Sequence, residues 1–164
     1  ARKREQERWR EKAVDSMTTS GDAVHQRQPD QPLVTDSDLV AMALEVRERA
    51  YARYSQFPVG AALLGRSGRV YTGCNVENAS YPLTICAERA AVAKALSEGE
   101  REFKAIAVVS STGGAPCGAC RQVLHEFGGV DGSLRVIVAD TGGATRVFTI
   151  DQLLPDGFTP DQLG

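Results

Sequence analysis

The stretch from Cys86 to Ser111 decides the fold, and it reads CAERAAVAKALSEGEREFKAIAVVSS. Its first half is rich in alanine as far as Ser97, which favours a helix, and Gly99 supplies a common helix stop. Its second half, Phe103–Ser111, is an apolar run typical of a strand that is covered on both faces. A helix followed directly by a buried strand predicts an α/β protein.

The flanking segments extend this alternation of helices and strands. Apolar residues recur at helical spacing between Leu39 and Tyr51, and Asp36 or Ser37 is expected to cap that helix. The other predicted elements are strands at 57–64, 69–74, 134–139 and 144–150 and a helix at 117–127. We therefore expect a three-layer α/β/α sandwich with a mixed five-stranded sheet, formed by residues 36–164.

Residues 1–35 differ from the rest of the chain in composition. Residues 1–16 are a dense run of mixed charges, and the residues that follow are rich in Thr, Ser, Asp, Gln and Pro. Such a segment buries too little apolar surface to offset its ordering entropy. We expect a disordered N-terminal extension, with a helical interaction arm as the alternative.

The overall composition limits the possible functions. The chain has 164 residues, of which 42% are hydrophobic, and this suits one domain with a single core. A formal net charge of −2 provides no basic surface for a nucleic acid polymer, so a small molecule is the more natural substrate. The sequence shows neither a membrane-length apolar run nor a signal-like segment, and we expect a cytoplasmic protein without a membrane partner.

Three of the four cysteines are spaced as zinc ligands. Cys86 opens the tripeptide Cys86-Ala87-Glu88, and Cys117 and Cys120 lie in the sequence Pro-Cys-Gly-Ala-Cys further along. Three thiolates can hold one zinc ion and leave its fourth position open, and Glu88 is placed to move protons beside it. This combination predicts a hydrolytic zinc centre, of the kind that the zinc deaminases use.

Two alternatives compete with an open zinc site. A closed, structural site needs a fourth ligand, but His25 lies in the extension, His125 lies further along its helix, and Cys74 lies at a strand end. A disulfide between Cys117 and Cys120 would leave Cys86 unexplained. Using three cysteines as metal ligands also suits a reducing compartment.

Five motifs in one order resemble the small homotetrameric cytidine deaminases of pyrimidine salvage. They are Phe57-Pro-Val-Gly-Ala-Ala62, Gly73-Cys-Asn-Val-Glu-Asn-Ala-Ser-Tyr81, Cys86-Ala-Glu-Arg89, Cys117-Gly-Ala-Cys-Arg-Gln122 and Leu153-Leu-Pro-Asp-Gly-Phe158. The resemblance covers about residues 37–164. It implies a deaminase-like fold, one Zn2+ per subunit, and hydrolysis of cytidine and 2′-deoxycytidine to uridine and 2′-deoxyuridine with release of ammonia.

The resemblance also implies roles for individual residues. Glu88 would shuttle protons as the catalytic residue, and Cys86, Cys117 and Cys120 would bind the metal. Arg89 would hydrogen-bond to the ligand sulfurs. The residues that would contact the nucleoside are Phe57, Asn75, Glu77, Ala87 and, from a neighbouring subunit, Phe158; Tyr81 would make a contact between subunits.

Other functions remain as alternatives. A related enzyme that acts on a modified cytosine compound such as blasticidin S would share the zinc box and Glu88. Deaminases of nucleotides or polynucleotides usually carry a histidine where this chain has Cys86. A non-enzymatic zinc module acting through the N-terminal arm is a further possibility. Residues 111–115 form a shorter segment than in several family members, which predicts a more open rim to the site.

Overall fold

The structure, a computed structural model, describes residues 33–128 and 133–163. The expectation of a disordered segment over residues 1–35 falls largely on residues 1–32, which lie outside the described residues. At the C-terminal end of this 1–35 segment, Val34 packs against the core and Thr35 is the N-cap residue of the first helix.

The described residues form helices and strands in nearly the predicted order. In chain order they are α1 (Asp36–Arg47), β1 (Val59–Gly65), β2 (Val70–Cys74), α2 (Ala87–Ser97), β3 (Phe103–Ser110), α3 (Gly118–Glu126), β4 (Arg135–Asp140), β5 (Thr145–Thr149) and α4 (Ile150–Leu153), with short 3₁₀ turns at Tyr81–Leu83 and Pro160–Leu163. No helix among the described residues is long and apolar enough to cross a membrane.

The sheet is mixed, as expected. Its order is β2-β1-β3-β4-β5, with β3 and β4 parallel and each of the other neighbouring pairs antiparallel. Helix α1 covers one face through Leu39 and Ala43, while α2 and α3 cover the other. This is the predicted three-layer α/β/α arrangement.

The first helix is capped by a residue other than the two predicted from the sequence. The Thr35 hydroxyl accepts a hydrogen bond from the Asp38 backbone N–H, and the Asp38 carboxylate accepts one in return from the Thr35 N–H. This reciprocal pair satisfies two backbone donors that a helix start otherwise leaves free, and such a cap contributes about 1 kcal/mol. Asp36 and Ser37 are therefore the first residues of the helix.

Strand boundaries also differ from prediction, most informatively at the start of β1 and the end of β5. Phe57 and Pro58 precede β1, which begins at Val59, and Ile150 opens α4 instead of ending β5. Thr149 causes the second change, because its side chain and that of Gln152 form a capping box that starts a helix there. Ile150, which continues the apolar run of the strand, is buried as the first helical residue.

The position of α2 depends on Gly73 in β2. A β-carbon on Gly73 would lie 2.5 Å from the Ala91 backbone nitrogen and 2.7 Å from the Ala87 carbonyl oxygen. A glycine here therefore lets the helix backbone rest directly on the strand. The result is that the start of α2, with Cys86, lies close to the end of β2.

Candidate metal centre and active site

Helices α2 and α3 both begin at a cysteine. Cys86 and Cys117 are the N-cap residues, with extended backbone conformations (φ −70°, ψ 153° and φ −66°, ψ 164°), and Cys120 lies in the first turn of α3. The sequence predicts helices that include Cys86 and Cys117, whereas in the structure each helix begins one residue later. Neither cysteine side chain makes the usual capping hydrogen bond to its helix, so neither sulfur is engaged as a cap.

The three sulfur atoms lie within 4.8 Å of one another. Zinc–sulfur bonds of about 2.3 Å in a tetrahedral site place sulfurs about 3.8 Å apart, so a modest contraction would accommodate the ion. Within residues 33–128 and 133–163, no further His, Cys, Asp or Glu joins this group. His125 instead lies 3.7 Å from the Asp151 carboxylate, measured from its Nε2 atom. The donor set therefore fits a zinc ion that keeps one position open.

The surroundings of the sulfurs favour a thiolate at Cys86 and a protonated thiol at Cys120. The Cys120 thiol donates a hydrogen bond to the Cys86 sulfur and, with the nearby Arg89 guanidinium, lowers the pKa of Cys86 to about 5. The same hydrogen bond, together with burial, raises the pKa of Cys120. Arg89 Nη2 lies 3.7 Å from the Cys86 sulfur and donates to the Thr84 carbonyl at 2.9 Å. Its positive charge offsets part of the negative charge that three thiolates bring together.

The Glu88 carboxylate lies beside this group of sulfurs. Glu88 is only 5% exposed and is the one buried charged residue in the described part of the chain. Burial raises the pKa of its carboxyl group, and the negative charge on Cys86 raises it further. A carboxyl group whose pKa is moved towards neutrality can both accept and donate a proton, which is the requirement for a proton shuttle.

A pocket of about 450 Å³ opens over the sulfurs and Glu88. Its lining consists of Ser55, Phe57, Val59, Asn75, Thr84, Cys86, Ala87, Glu88, Val108, Ser110, Gly114, Ala115 and Cys117. Four of the residues assigned from the resemblance, Phe57, Asn75, Ala87 and Glu88, are therefore in one cavity with two of the cysteines. The wall is mostly apolar, as is usual for sites that bind flat organic molecules.

Asn75 and Glu77 make structural hydrogen bonds around the pocket. Asn75 is buried, accepts a hydrogen bond from the Val59 N–H at 2.8 Å, and donates to the Phe57 carbonyl at 3.0 Å. Glu77 accepts a hydrogen bond from the Tyr54 N–H at 2.7 Å, and hydrogen bonding from Ser55 lowers its pKa. Both side chains thus hold the segment before β1 in place, whatever else they bind.

Phe158 and Tyr81 lie away from the pocket lining. Phe158 is 53% exposed and Tyr81 is 69% exposed, and Tyr81 makes an edge-to-face contact with Tyr54 at 5.7 Å between ring centres. Within the single chain, neither aromatic ring closes over the cavity. Their predicted roles require a second chain.

Several pocket residues were missed from the sequence. Ser110 ends β3, is buried, and accepts a hydrogen bond from the Gly114 N–H at 3.2 Å, which shapes the loop before Cys117. Arg146 of β5 holds the same loop from outside by donating to the Gly113 carbonyl at 2.8 Å. A serine ending an apolar strand was the available signal for Ser110. Nothing in the local sequence pointed to Arg146.

Comparison with known proteins identifies the family. The model of the cytidine and deoxycytidylate deaminase zinc-binding region matches residues 33–134. The chain belongs to this deaminase family. Among curated relatives, the cytidine deaminase of Sporosarcina psychrophila is 50% identical over 127 residues, which cover 76% of this chain and 92% of the relative. The cytidine deaminase of Mycobacterium tuberculosis is 46% identical over 123 residues, covering 74% of this chain and 87% of the relative.

The fold of this deaminase-family chain also matches solved structures. The crystal structure of cytidine deaminase from Burkholderia pseudomallei is similar, with a TM-score of 0.72 and 52% identity, over 76% of this chain and 99% of the other. The resemblance found in the sequence and the α/β fold are thereby confirmed. A zinc-binding family model and a matching set of three cysteines also confirm zinc as the cofactor.

Proposed function

We propose that this protein is a zinc-dependent cytidine deaminase that converts cytidine and 2′-deoxycytidine, with water, to uridine and 2′-deoxyuridine and ammonia. The observation that carries the proposal is the buried Glu88 carboxylate, which shares a pocket with the sulfurs of Cys86 and Cys117. Relatives at 46–50% identity named cytidine deaminase support the choice of substrate. The reaction places the enzyme in pyrimidine salvage.

Glu88 performs each proton transfer in this reaction. The sulfurs of Cys86, Cys117 and Cys120 would hold the zinc ion, and the bound ion would supply an acidified water molecule as the nucleophile. The Glu88 carboxylate accepts a proton from the attacking water and delivers one to N3 of the cytosine ring, which makes C4 electrophilic. The water oxygen then bonds to C4, and Glu88 moves the proton of the resulting C4 hydroxyl to the exocyclic amino group, so that ammonia leaves as the C4–N bond breaks and the C4 carbonyl forms. Burial and the raised pKa of Glu88 suit a group that alternates between its two protonation states.

The pocket suits a nucleoside better than a nucleotide or polynucleotide. Its lining contains no lysine or arginine among the described residues, so it offers no cation to a phosphate. Phe57 offers an aromatic surface to the base. Asn75 lines the pocket, and Glu77 accepts a hydrogen bond from the N–H of Ser55, which also lines it; we assign the ribose hydroxyls to Asn75 and Glu77.

The direct test is an ultraviolet assay of cytidine and 2′-deoxycytidine with zinc-replete protein. We expect the absorbance change of conversion to uridine, with ammonia released in equal amount. Blasticidin S is assayed in parallel. Turnover of blasticidin S without turnover of either nucleoside would contradict the proposed substrate and leave the hydrolytic chemistry in place.

We also propose that the active form is a homotetramer in which each site takes residues from more than one chain. Large apolar side chains lie exposed near the pocket, namely Tyr51, Tyr54, Val76, Tyr81, Leu83 and Ile85, each at least 41% exposed. The isolated bridges Tyr51–Val76 and Val76–Ile85 bring members of this group together. A contiguous apolar patch beside an incomplete site favours coverage by another copy of the chain.

Phe158→Ala tests the shared site. We expect KM for cytidine to rise about tenfold, because an aromatic contact with a base is worth about 1–3 kcal/mol, while zinc content stays at the wild-type level. Steady-state kinetics and metal analysis measure the two quantities. Val147→Ala, which removes another exposed apolar side chain on β5, is the control and should leave KM unchanged. An unchanged KM in Phe158→Ala would contradict the role of this ring.

The catalytic domain in this proposal is residues 36–164. Three cysteines that must remain thiols suit a reducing compartment, and we therefore place the enzyme in the cytoplasm. All four cysteines of the chain are free in the structure.

A further inference from the structure

Arg121, immediately after Cys120, joins two distant parts of the chain. Its Nε donates to the Pro116 carbonyl at 2.7 Å, and its Nη1 donates to the Leu153 carbonyl at 2.8 Å. The guanidinium is half-buried, and Pro116 is fully buried. A planar guanidinium with donors in a fixed fork can satisfy both carbonyls at once, which a lysine cannot do.

Each of these carbonyls has a particular position. The Pro116 carbonyl belongs to the peptide group that leads into Cys117, so holding it fixes the direction in which the Cys117 side chain leaves the backbone. The Leu153 carbonyl ends α4, where the last carbonyls of a helix have no partner within it. Arg121 therefore links the entrance to a metal-ligand turn with the start of the C-terminal segment.

The C-terminal segment makes further contacts with the same helix. The Gln122 side chain donates to the Phe158 carbonyl at 2.9 Å. Gly157 lies so close to His125 that a β-carbon there would be 2.9 Å from the His125 ring, so a larger residue would require that side chain to move. The segment thus follows α3 from Leu153 to Phe158.

We propose that Arg121 is a positioning residue that orients Cys117 for zinc and, together with Gln122, places the segment that carries Phe158. Helix α3 then sets both the metal site of its own chain and the aromatic ring offered to a neighbour. The part of the inference that concerns Phe158 rests on the proposed function, whereas the part that concerns zinc does not.

The zinc arm of the test measures affinity by chelator competition in Arg121→Met, Arg121→Lys and the wild type. Loss of a group that orients a metal ligand typically lowers metal affinity about 10–100-fold, and we expect a loss in this range for Arg121→Met. Arg121→Lys can keep one carbonyl contact and should lose less zinc affinity. If Arg121→Met does not fold, Arg121→Lys still tests the proposal. Arg101→Met is the matched control, because Arg101 donates to the Leu96 carbonyl at 3.0 Å, away from the site.

The outcomes of the zinc arm are decisive without any turnover. Wild-type affinity in both Arg121 variants, or an equal loss in Arg101→Met, would overturn the proposal. A selective loss in the Arg121 variants supports it even if cytidine is not the substrate.

The second arm is a double-mutant cycle between Gln122→Met and Phe158→Ala, read as KM for cytidine. Gln122→Met alone should raise KM about threefold, which is a small effect for a lost hydrogen bond because this bond is exposed. Zinc affinity should stay unchanged. In the Phe158→Ala background, Gln122→Met should have almost no effect on KM, since the aromatic ring that Gln122 helps to place is already absent. Independent, multiplying effects would overturn the role of Gln122. An unchanged KM in Phe158→Ala itself would count against the proposed shared site.

Discussion

Glu88→Gln is expected to lower kcat for cytidine about 10³–10⁴-fold, the upper part of the range for general acid–base catalysis. The amide has the size of the carboxyl group but cannot take up a proton from water or return one to the base. Glu88 is also the only carboxylate that lines the pocket among the described residues, so no neighbour can replace it. Its loss should therefore remove all of the proton transfers together.

Zinc content distinguishes this effect from damage to the metal site. Glu88 does not belong to the group of three sulfurs, so Glu88→Gln should bind zinc at the wild-type level. Glu126→Gln is the matched control, because Glu126 is an exposed glutamate at the end of α3. Turnover near the wild-type rate in zinc-replete Glu88→Gln would refute the assignment of the proton carrier.

Cys120→Ala is expected to abolish zinc retention and, with it, deaminase activity. Cys120 is fully buried, and its sulfur lies within 4.8 Å of the other two in the group that would hold the ion. Removing a direct ligand should reduce zinc affinity by more than the roughly 10–100-fold that follows loss of an outer partner. Metal analysis after dialysis, followed by chelator competition, measures the effect.

Cys74→Ala is the control for this experiment. Cys74 is a free, half-buried cysteine at the end of β2 that does not belong to the metal-binding group. It should keep one zinc per chain and normal turnover. Full zinc retention in Cys120→Ala, or zinc loss in Cys74→Ala, would mean that the ligand set is wrong.

Much of the fold was predictable because its signals are local. The alanine-rich run of α2 and the apolar run of β3 each specify an element within about ten residues, and both elements occur at the predicted places. The errors lie at element ends. Thr35 and Thr149 start helices because their side chains hydrogen-bond to the backbone of the first turn. The spacing of apolar residues does not reveal such bonds.

The candidate site was predictable in its composition but not in its arrangement. Three cysteines and a glutamate indicated a hydrolytic zinc centre. The roles assigned to Glu88 and to the substrate-binding residues stay predictions. The structure added what holds the site in shape. Ser110 fixes the loop before Cys117 through a local hydrogen bond, whereas the contact of Arg146 with the same loop forms only once β5 has joined the folded sheet.

By itself, the sequence determined the family, the order of helices and strands, and the pairing of Cys117 with Cys120, because residues three apart in a helix share a face. The sequence also predicted Cys86 as the third zinc ligand, but only the tertiary structure showed how its sulfur reaches the other two, through α2 resting against β2 at Gly73. Likewise, only the fold brought Arg121 to the Leu153 carbonyl. The physical reason is the same in both cases: contacts between distant segments form when packing of the helices and the sheet brings the segments together, and local sequence patterns do not encode that packing.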